Sequence, residues 1–470
     1  GAFLDTWTPI IDLHMPIKEI RTRPRQYPWL AEDDVRQAMA ARDRARARRD
    51  RQRSELTQQE YRDSRNAVKM ALNRASSAYF LASFRNPRKT TWRDIRKFLA
   101  ASGKAQPRTS ASTGDVDWSE RINRFFAGVG PAVAESLSAA DDGAPLPPRP
   151  PRVCSGAFAP RPATMPELSA ALARMGTSRA CGPDGITTQM LRMAFPVIAP
   201  QLLKLVNCSI ANRELPVQWK QATVIPLFKK GDSCDFNNYR PISILSTVAK
   251  LCERVVCSQL VSYLSDVHAL CPEQYGFRPG LSTEAAMLDA VTFAIDCVDS
   301  GRVAPLVTID TSKAFDSVEH GRLLDKLGWY GVEPDWFAAW LHDRRQLVRG
   351  ATHSERVTHG VVQGSILGPI LFLLFTNDLT QHLPYTKIIM YADDTQFFDS
   401  DLPSNIIDLK TRIENTLSAA LNWFTRNRLK INPSKTEMVI FQSKRIRQSP
   451  DFSITFGTDI VHPSHSATIL

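Results

Sequence analysis

Lys387-Ile-Ile-Met-Tyr-Ala-Asp-Asp-Thr-Gln-Phe-Phe398 sets two adjacent acids between two short β-prone runs. The apolar run 387–392 and the run 396–398 are of strand length, and Asp favours turns, so the segment reads as a β-hairpin with carboxylates at its tip. Two Asp in a hairpin, taken alone, are ordinary turn chemistry. A second short strand, Leu306-Val-Thr-Ile309, also runs into an acid, Asp310, and a helical start, Lys313-Ala-Phe-Asp316, follows it. Three Asp on neighbouring strand ends have another use. Hard oxygen ligands bind Mg²⁺ through one or two carboxylates plus substrate phosphates. Two such ions clamp the attacking and leaving oxygens of an in-line phosphoryl transfer.

Around these strands the chain alternates helices and strands. Leu245, Val248, Leu251, Val255 and Leu260 recur at helical spacing. Residues 365–378 read as an apolar helix that Gln363-Gly364 begins, 402–428 as mostly helical, and 436–441 as a third strand. Asp451-Phe-Ser-Ile-Thr-Phe456 begins a further hairpin. The mix predicts an α+β domain built on a mainly antiparallel sheet.

Composition narrows the class. The chain has 470 residues, 43% hydrophobic and 23% charged, which is the balance of a folded chain. The longest apolar run, residues 366–375, is half of the roughly 20 residues a membrane span needs, so no membrane role is expected. The eight Cys form no C-x-x-C pair and no zinc spacing with a His, which predicts reduced thiols, and the nine His show no ligand spacing. Gly1-Ala-Phe-Leu has no secretory signal character. Without an initiator Met, and with a strand-like end at residues 466–470, the sequence reads as an internal fragment of a longer protein.

The net charge of +11 is local. Residues 1–104 hold 23 Lys and Arg against 12 Asp and Glu, whereas residues 105–470 hold 36 of each. Good helix formers fill 32–84, and Thr57-x-x-Glu60 reads as a capping box, so helices are expected at 33–54 and 58–84. Tyr61, Val68, Leu72 and Tyr79 put an apolar stripe on the second. The first carries Arg42, Arg44, Arg46, Arg48, Arg49 and Arg51. That helix is either a solvated charged surface or a contact for RNA or DNA phosphates. Eight Pro between 145 and 166 mark 105–165 as a Pro-rich linker.

Tyr391-Ala-Asp-Asp394 resembles the signature hairpin of reverse transcriptases, and it comes in order with other segments. These are Cys181-Gly-Pro-Asp-Gly-Ile186, Trp219-Lys220, Ile225-Pro-Leu-Phe-Lys-Lys-Gly-Asp232, Asn238-Tyr-Arg-Pro-Ile-Ser243, Gln274-Tyr-Gly-Phe-Arg-Pro-Gly280, Asp310-x-x-Lys-Ala-Phe-Asp316, Gln363-Gly-Ser-x-Leu-Gly-Pro369, and Asn427-Arg-Leu-Lys-Ile-Asn432 with Lys435-Thr436. Over roughly 165–445 the set resembles the reverse transcriptase of non-LTR (LINE-type) retrotransposons. The basic helices loosely resemble the segment joining an upstream endonuclease to the polymerase in such proteins.

The resemblance implies a right-hand polymerase fold: fingers at 166–306, palm at 307–446, and the start of a primer-grip and thumb region at 447–470. It implies an RNA-directed DNA polymerase that works by two-metal nucleotidyl transfer, with Mg²⁺ as cofactor and Mn²⁺ a possible substitute. Its partners would be RNA template, DNA primer or target, and dNTPs, in the nucleus after a cytoplasmic ribonucleoprotein stage; target-primed synthesis is the mode expected.

By the same resemblance Asp310, Asp393 and Asp394 hold metal, with the Thr311 carbonyl a further ligand. Phe315 lies beneath the incoming sugar and excludes a 2′-hydroxyl; a core Phe is the plainer reading. Gln363 faces nucleotide and template, and Gly364 lets the backbone approach. Lys229, Lys230 and Arg240, on a fingers hairpin, close over the triphosphate, Arg240 by its bidentate fork; either Lys could simply be solvated. Arg278 contacts the nucleic-acid backbone. Lys435 protonates the departing pyrophosphate or is a surface lysine. Gly182-Pro-Asp-Gly185 is either a nucleotide-facing loop or a plain tight turn. Two other owners stay open: a group II intron-type maturase, and a non-catalytic RNA-binding fragment lacking its thumb.

The local charge makes a prediction. Deleting residues 1–104 should weaken RNA binding and flatten the fall of log K with log salt by about 0.7 per lost phosphate contact on single strands. Filter binding across a NaCl series measures both, and an unchanged slope would reduce the arginines to a solvated surface.

Overall fold

The computed structural model describes residues 32–52, 54–84, 116–138, 157–176, 180–384, 386–432, 435–443 and 452–464. The chain forms two units, Gly1–Ser112 and Thr113–Leu470. In the first, helices α1 (Asp33–Arg51) and α2 (Glu55–Phe84) pack on each other, and Val35, Ala45 and Val68 are buried. The expected break between them is present, but the cap sits earlier. Ser54 Oγ accepts from Thr57 N at 3.3 Å, and Thr57 Oγ1 accepts from Ser54 N at 3.2 Å. Thr57 is therefore already inside the first turn, and Glu60 instead faces Arg48 at 3.6 Å.

The second unit opens with α3 (Val116–Ser138), α4 (Met165–Ala173) and α5 (Thr188–Asn212). The expected 105–165 linker thus contains a 23-residue helix. Its Ile122 and Phe126, one turn apart, enter a core with Val224, Tyr239 and Val348. Its buried Asn123 donates Nδ2 to His353 O at 2.9 Å and accepts from Val348 N at 3.2 Å. The helix α5 is by length and composition able to cross a membrane, a candidate longer than the 366–375 run. It carries Pro196 and Pro200 and buries Leu191, Leu202, Val206 and Ile210.

Next come β1 (Gln221–Phe228), β2 (Tyr239–Leu245), α6 (Thr247–Asp266), α7 (Thr283–Asp299), β3 (Ala304–Ile309), β4 (Thr311–Ser312), α8 (Ala314–Ser317), α9 (His320–Trp329), α10 (Asp335–Leu341), β5 (Arg344–Val348) and β6 (Glu355–Val357). After them follow α11 (Gly368–Thr376), β7 (Lys387–Tyr391), β8 (Asp394–Phe398), α12 (Ile406–Arg426), β9 (Lys430–Ile431), β10 (Glu437–Phe441), β11 (Ile454–Phe456) and β12 (Asp459–Val461). The helix expected to begin at Gln363-Gly364 starts at Gly368, because Gly364 has φ +103°, outside the helical region.

Two four-stranded sheets result. One has the order β2-β1-β5-β6, with β1 and β5 parallel. The other, β10-β3-β8-β7, is antiparallel throughout. Ala286 and Ala290 of α7 bring that helix close to Leu306, Ile389 and Phe398 of the second sheet. α11 is apolar nearly all round and almost wholly buried, as a core helix must be. β11 and β12 form the expected terminal hairpin.

Candidate active site

Register places the acids. β3 pairs with β8 up to Ile309↔Thr395, so Asp310 and Asp394 follow at the same end of neighbouring strands. β7 and β8 pair up to Tyr391↔Asp394, which leaves Ala392-Asp393 as a two-residue loop. Ala392 has φ +57°, as the first residue of a primed hairpin turn must. The hairpin with acids at its tip is therefore as the sequence predicts.

Crowding shows in the proton affinities. The Asp393 carboxyl is pushed up by burial and by the Asp310 charge, against the pull of Arg240 and Lys229. The Asp394 carboxyl is pushed up to about 6, first by the packing around it and then by Asp393 and Asp310, although part of the residue remains exposed. Lys435 Nζ lies 2.8 Å from Asp310 Oδ2. Lys229 is held below the usual lysine range by burial and by the nearby charges of Arg240 and Lys435. Cations of the β1–β2 hairpin and acids of the second sheet thus share one field. Leu227↔Arg240 is a cross-strand pair, and Gly231-Asp232 lies in the connection, as expected.

Three acids with two protonation-prone members suit a hard divalent cation, which would replace the protons and the lysine. Among the described residues no three His, Cys, Asp or Glu yet converge closely enough to enclose one ion. The donor set fits Mg²⁺ in kind, and the contact to Lys435 occupies one arm of it. The Thr311 Oγ1 is buried without a hydrogen-bond partner, beside the same strand end.

Phe315 is half-buried and stacks on Phe372 with centroids 4.3 Å apart and planes at 14°. Half-exposed Phe277 meets it edge-on at 6.2 Å. Gln363 Nε2 donates to Asp316 Oδ1 at 2.8 Å, and Ser243 N donates to the Gln363 carbonyl at 2.9 Å. A Cβ on Gly364 would lie 2.5 Å from Ser243 O, so the close approach this glycine permits is to β2. Arg278 Nη1 donates to the carbonyls of Cys271 (2.7 Å) and Gln274 (3.1 Å), which directs that nitrogen into its own loop. Gly182–Gly185 closes a tight turn, Gly185 N to Gly182 O at 3.1 Å, and Ser246 Oγ donates to Asp184 Oδ2 at 2.5 Å.

In the separate N-terminal unit, Arg42 and Arg49 pair with the next residue, Asp43 and Asp50, at 2.6 Å. Arg46 approaches Asp50 at 3.9 Å, and Arg49 also covers the Tyr61 ring at 4.3 Å. Arg44 and Arg51 are exposed.

Three residues beyond the expected set belong to the site. Lys313, at φ +54°, donates Nζ to the carbonyls of Asn237 and Tyr239 and so ties the segment after β4 to the start of β2. Asp316 holds Gln363. Gln274 holds the Ala392 turn. All three lie inside the quoted motifs, but their contacts join segments tens of residues apart.

The Asp316 carboxyl is pushed up to about 6 by burial, despite the Gln363 bond and the Lys313 charge that favour its ionised form. A raised carboxyl binds more protons folded than unfolded, so its contribution to stability falls as pH rises from about 4 to about 6. Asp316→Asn keeps an acceptor for Gln363 and removes that loss. Its urea midpoint should match the parent near pH 4 and exceed it increasingly up to pH 6. Parallel midpoint–pH curves would contradict the assignment.

Residues 228–457 match the family "Reverse transcriptase (RNA-dependent DNA polymerase)". A probable RNA-directed DNA polymerase from transposon BS of Drosophila melanogaster is 31% identical over 305 residues, 61% of this chain and 33% of that protein. The RNA-directed DNA polymerase from mobile element jockey of the same species is 28% identical over 296 residues, 60% and 32% of the two. The Pol polyprotein of type-1 retrotransposable element R1 from Bradysia coprophila is 29% identical over 310 residues, 64% and 30%. The chain spans about a third of the length of these relatives. The strand-end carboxylates lie inside the matched region, over which the chain is similar to reverse transcriptases, the RNA-directed DNA polymerases of non-LTR retrotransposons among them.

Proposed function

We propose that the chain copies RNA into DNA as the polymerase part of a non-LTR retrotransposon protein, by target-primed synthesis. The observation that carries this reading is the register of β3, β8 and β7, which gathers Asp310, Asp393 and Asp394 at one sheet end. In this reading 166–306 are fingers, 307–446 palm and 447–470 the start of a primer grip, and the protein acts in the nucleus after a cytoplasmic ribonucleoprotein stage.

The three Asp, with the Thr311 carbonyl, would hold two divalent ions, Mg²⁺ by hardness or Mn²⁺ in its place. Such ions, when bound, activate a 3′-hydroxyl and stabilise departing pyrophosphate. The chain's own residues do the rest. Lys229, Lys230 and Arg240 bind the triphosphate across the cleft from the acids. Phe315, backed by Phe372, forms a rigid floor under the sugar. Gln363, fixed by Asp316, presents a set edge to the nucleotide and template. Lys435, 2.8 Å from Asp310 Oδ2, is an ammonium held beside the acids and would hand a proton to pyrophosphate. Arg278 steadies the loop beneath the template, and the N-terminal arginines hold RNA.

Primer extension on an RNA template with Mg²⁺ and dNTPs tests the reading. Asp393→Asn should lower single-nucleotide addition by about a hundredfold or more, since the removed charge acts at the reacting atoms. Equal extension by variant and parent would end the assignment. Phe315→Val should admit ribonucleotides, seen as a drop of about tenfold in the ratio of kcat/KM for dNTP over NTP. An unchanged ratio would leave Phe315 a core ring.

A further inference from the structure

We infer that Gln274 is a positioning residue that sets the Ala392-Asp393 turn, and with it the catalytic carboxylates. The inference rests on the reading of Asp393 and Asp394 as the acids of the reaction. In a two-residue hairpin loop, the first loop residue has no ladder partner for its N–H or its C=O. Here that residue is Ala392, and it carries a φ of +57° where glycine is the easy choice. Gln274 supplies both missing partners. Its Oε1 accepts from Ala392 N at 3.0 Å, and its Nε2 donates to Ala392 O at 3.4 Å.

The amide is itself fixed. Oε1 also accepts from Gly276 N at 2.8 Å, and the side chain is buried, 2% exposed. Tyr275 N donates to Met390 O and Met390 N to Glu273 O, both at 2.8 Å, so residues 273–275 run as a short parallel bridge along β7, the edge strand. A Cβ on Gly276 would fall 2.4 Å from Ala392 N, which explains the glycine there. Past it, Phe277, at φ +54°, turns its ring edge-on to Phe315. One segment therefore clamps the acid-bearing turn and flanks the ring beneath the sugar. Asn or Ser at 274 would be too short to span both groups of Ala392, and Glu would offer no donor for Ala392 O when ionised.

The test uses the 470-residue chain, single-nucleotide addition, and Mn²⁺ binding followed by electron paramagnetic resonance without nucleic acid. Gln274→Met keeps the volume and removes both bonds. It should lower kcat by about tenfold or more, the cost of slightly misplaced reacting groups, with KM for dNTP changed by less than about twofold. Mn²⁺ affinity should fall as well. Adding Ala392→Gly, which adopts positive φ without the clamp, should recover part of kcat, so that the double variant is better than the product of the single effects. Gly276→Ala, which leaves Gln274 intact but crowds Ala392 N, should give the same kcat-selective loss and serves if Gln274→Met does not fold. Parent-like kcat in Gln274→Met, or strictly additive effects with Ala392→Gly, would overturn the clamp. Asp393→Asn separates the two readings: an inactive Asp393→Asn beside a fully active Gln274→Met removes only the clamp, whereas an active Asp393→Asn removes the reading beneath it.

Discussion

Carboxylates gathered at one sheet end repel one another, and the fold must hold them there without relaxing. Asp393 is shifted toward its neutral form by packing and by Asp310, and Asp394 by packing, by Asp393 and by Asp310. A flexible loop would answer such repulsion by moving apart. Here β3 is an inner strand, fixed on one side by β10 and on the other by β8, and its Leu306 and Val307 are fully buried. The acids are extensions of that register, so separating them means unpairing strands. That repulsion is what a divalent cation would relieve, and Lys435 on Asp310 is the protein's own partial answer to it.

The cations beside the acids depend on the same placement. Arg240 and Lys229 face Asp393 electrostatically because the β1–β2 hairpin is tied to the segment after β3. Lys313 reaches from that segment to the carbonyls of Asn237 and Tyr239, and α3 packs beneath through Ile122 and Phe126. Lys313 is held low by burial and by Lys229 and Arg240, while Asp316 and Asp235 oppose that shift. A lysine used this way costs desolvation but ties the cations of the β1–β2 hairpin to the segment that follows the acid of β3. Surface ion pairs could not do so, being weak and screened.

What the sequence made legible follows the range of each interaction. The 387–398 hairpin, the strand into Asp310 and the two N-terminal helices rest on local patterns, and the structure has them within a few residues. The cap moved from Thr57 to Ser54 because either hydroxyl satisfies the local rule, and the choice was made by the turn from Gln52. The helix Val116–Ser138 was hidden by its Pro-rich surroundings, and its anchor, Asn123 to His353, spans 230 residues. Gln363-Gly364 read as a helix start because the following residues are apolar, yet the glycine is held at φ +103° against Ser243. The functional roles came from the ordered motifs rather than from charge or periodicity.

The N-terminal arginines show why a count of charge is not a count of contacts. Four of the six sit beside Asp43, Asp50 or Glu60, so most of these arginines already face carboxylates on their own helices. These pairs are largely exposed, and exposed pairs contribute little to stability. A polyanion can therefore exchange for them at small cost, gaining the release of its counterions. Such pairs soften the mutual repulsion along a dense cationic helix without contributing much to its stability, so a count of arginines overstates the field that the helix presents.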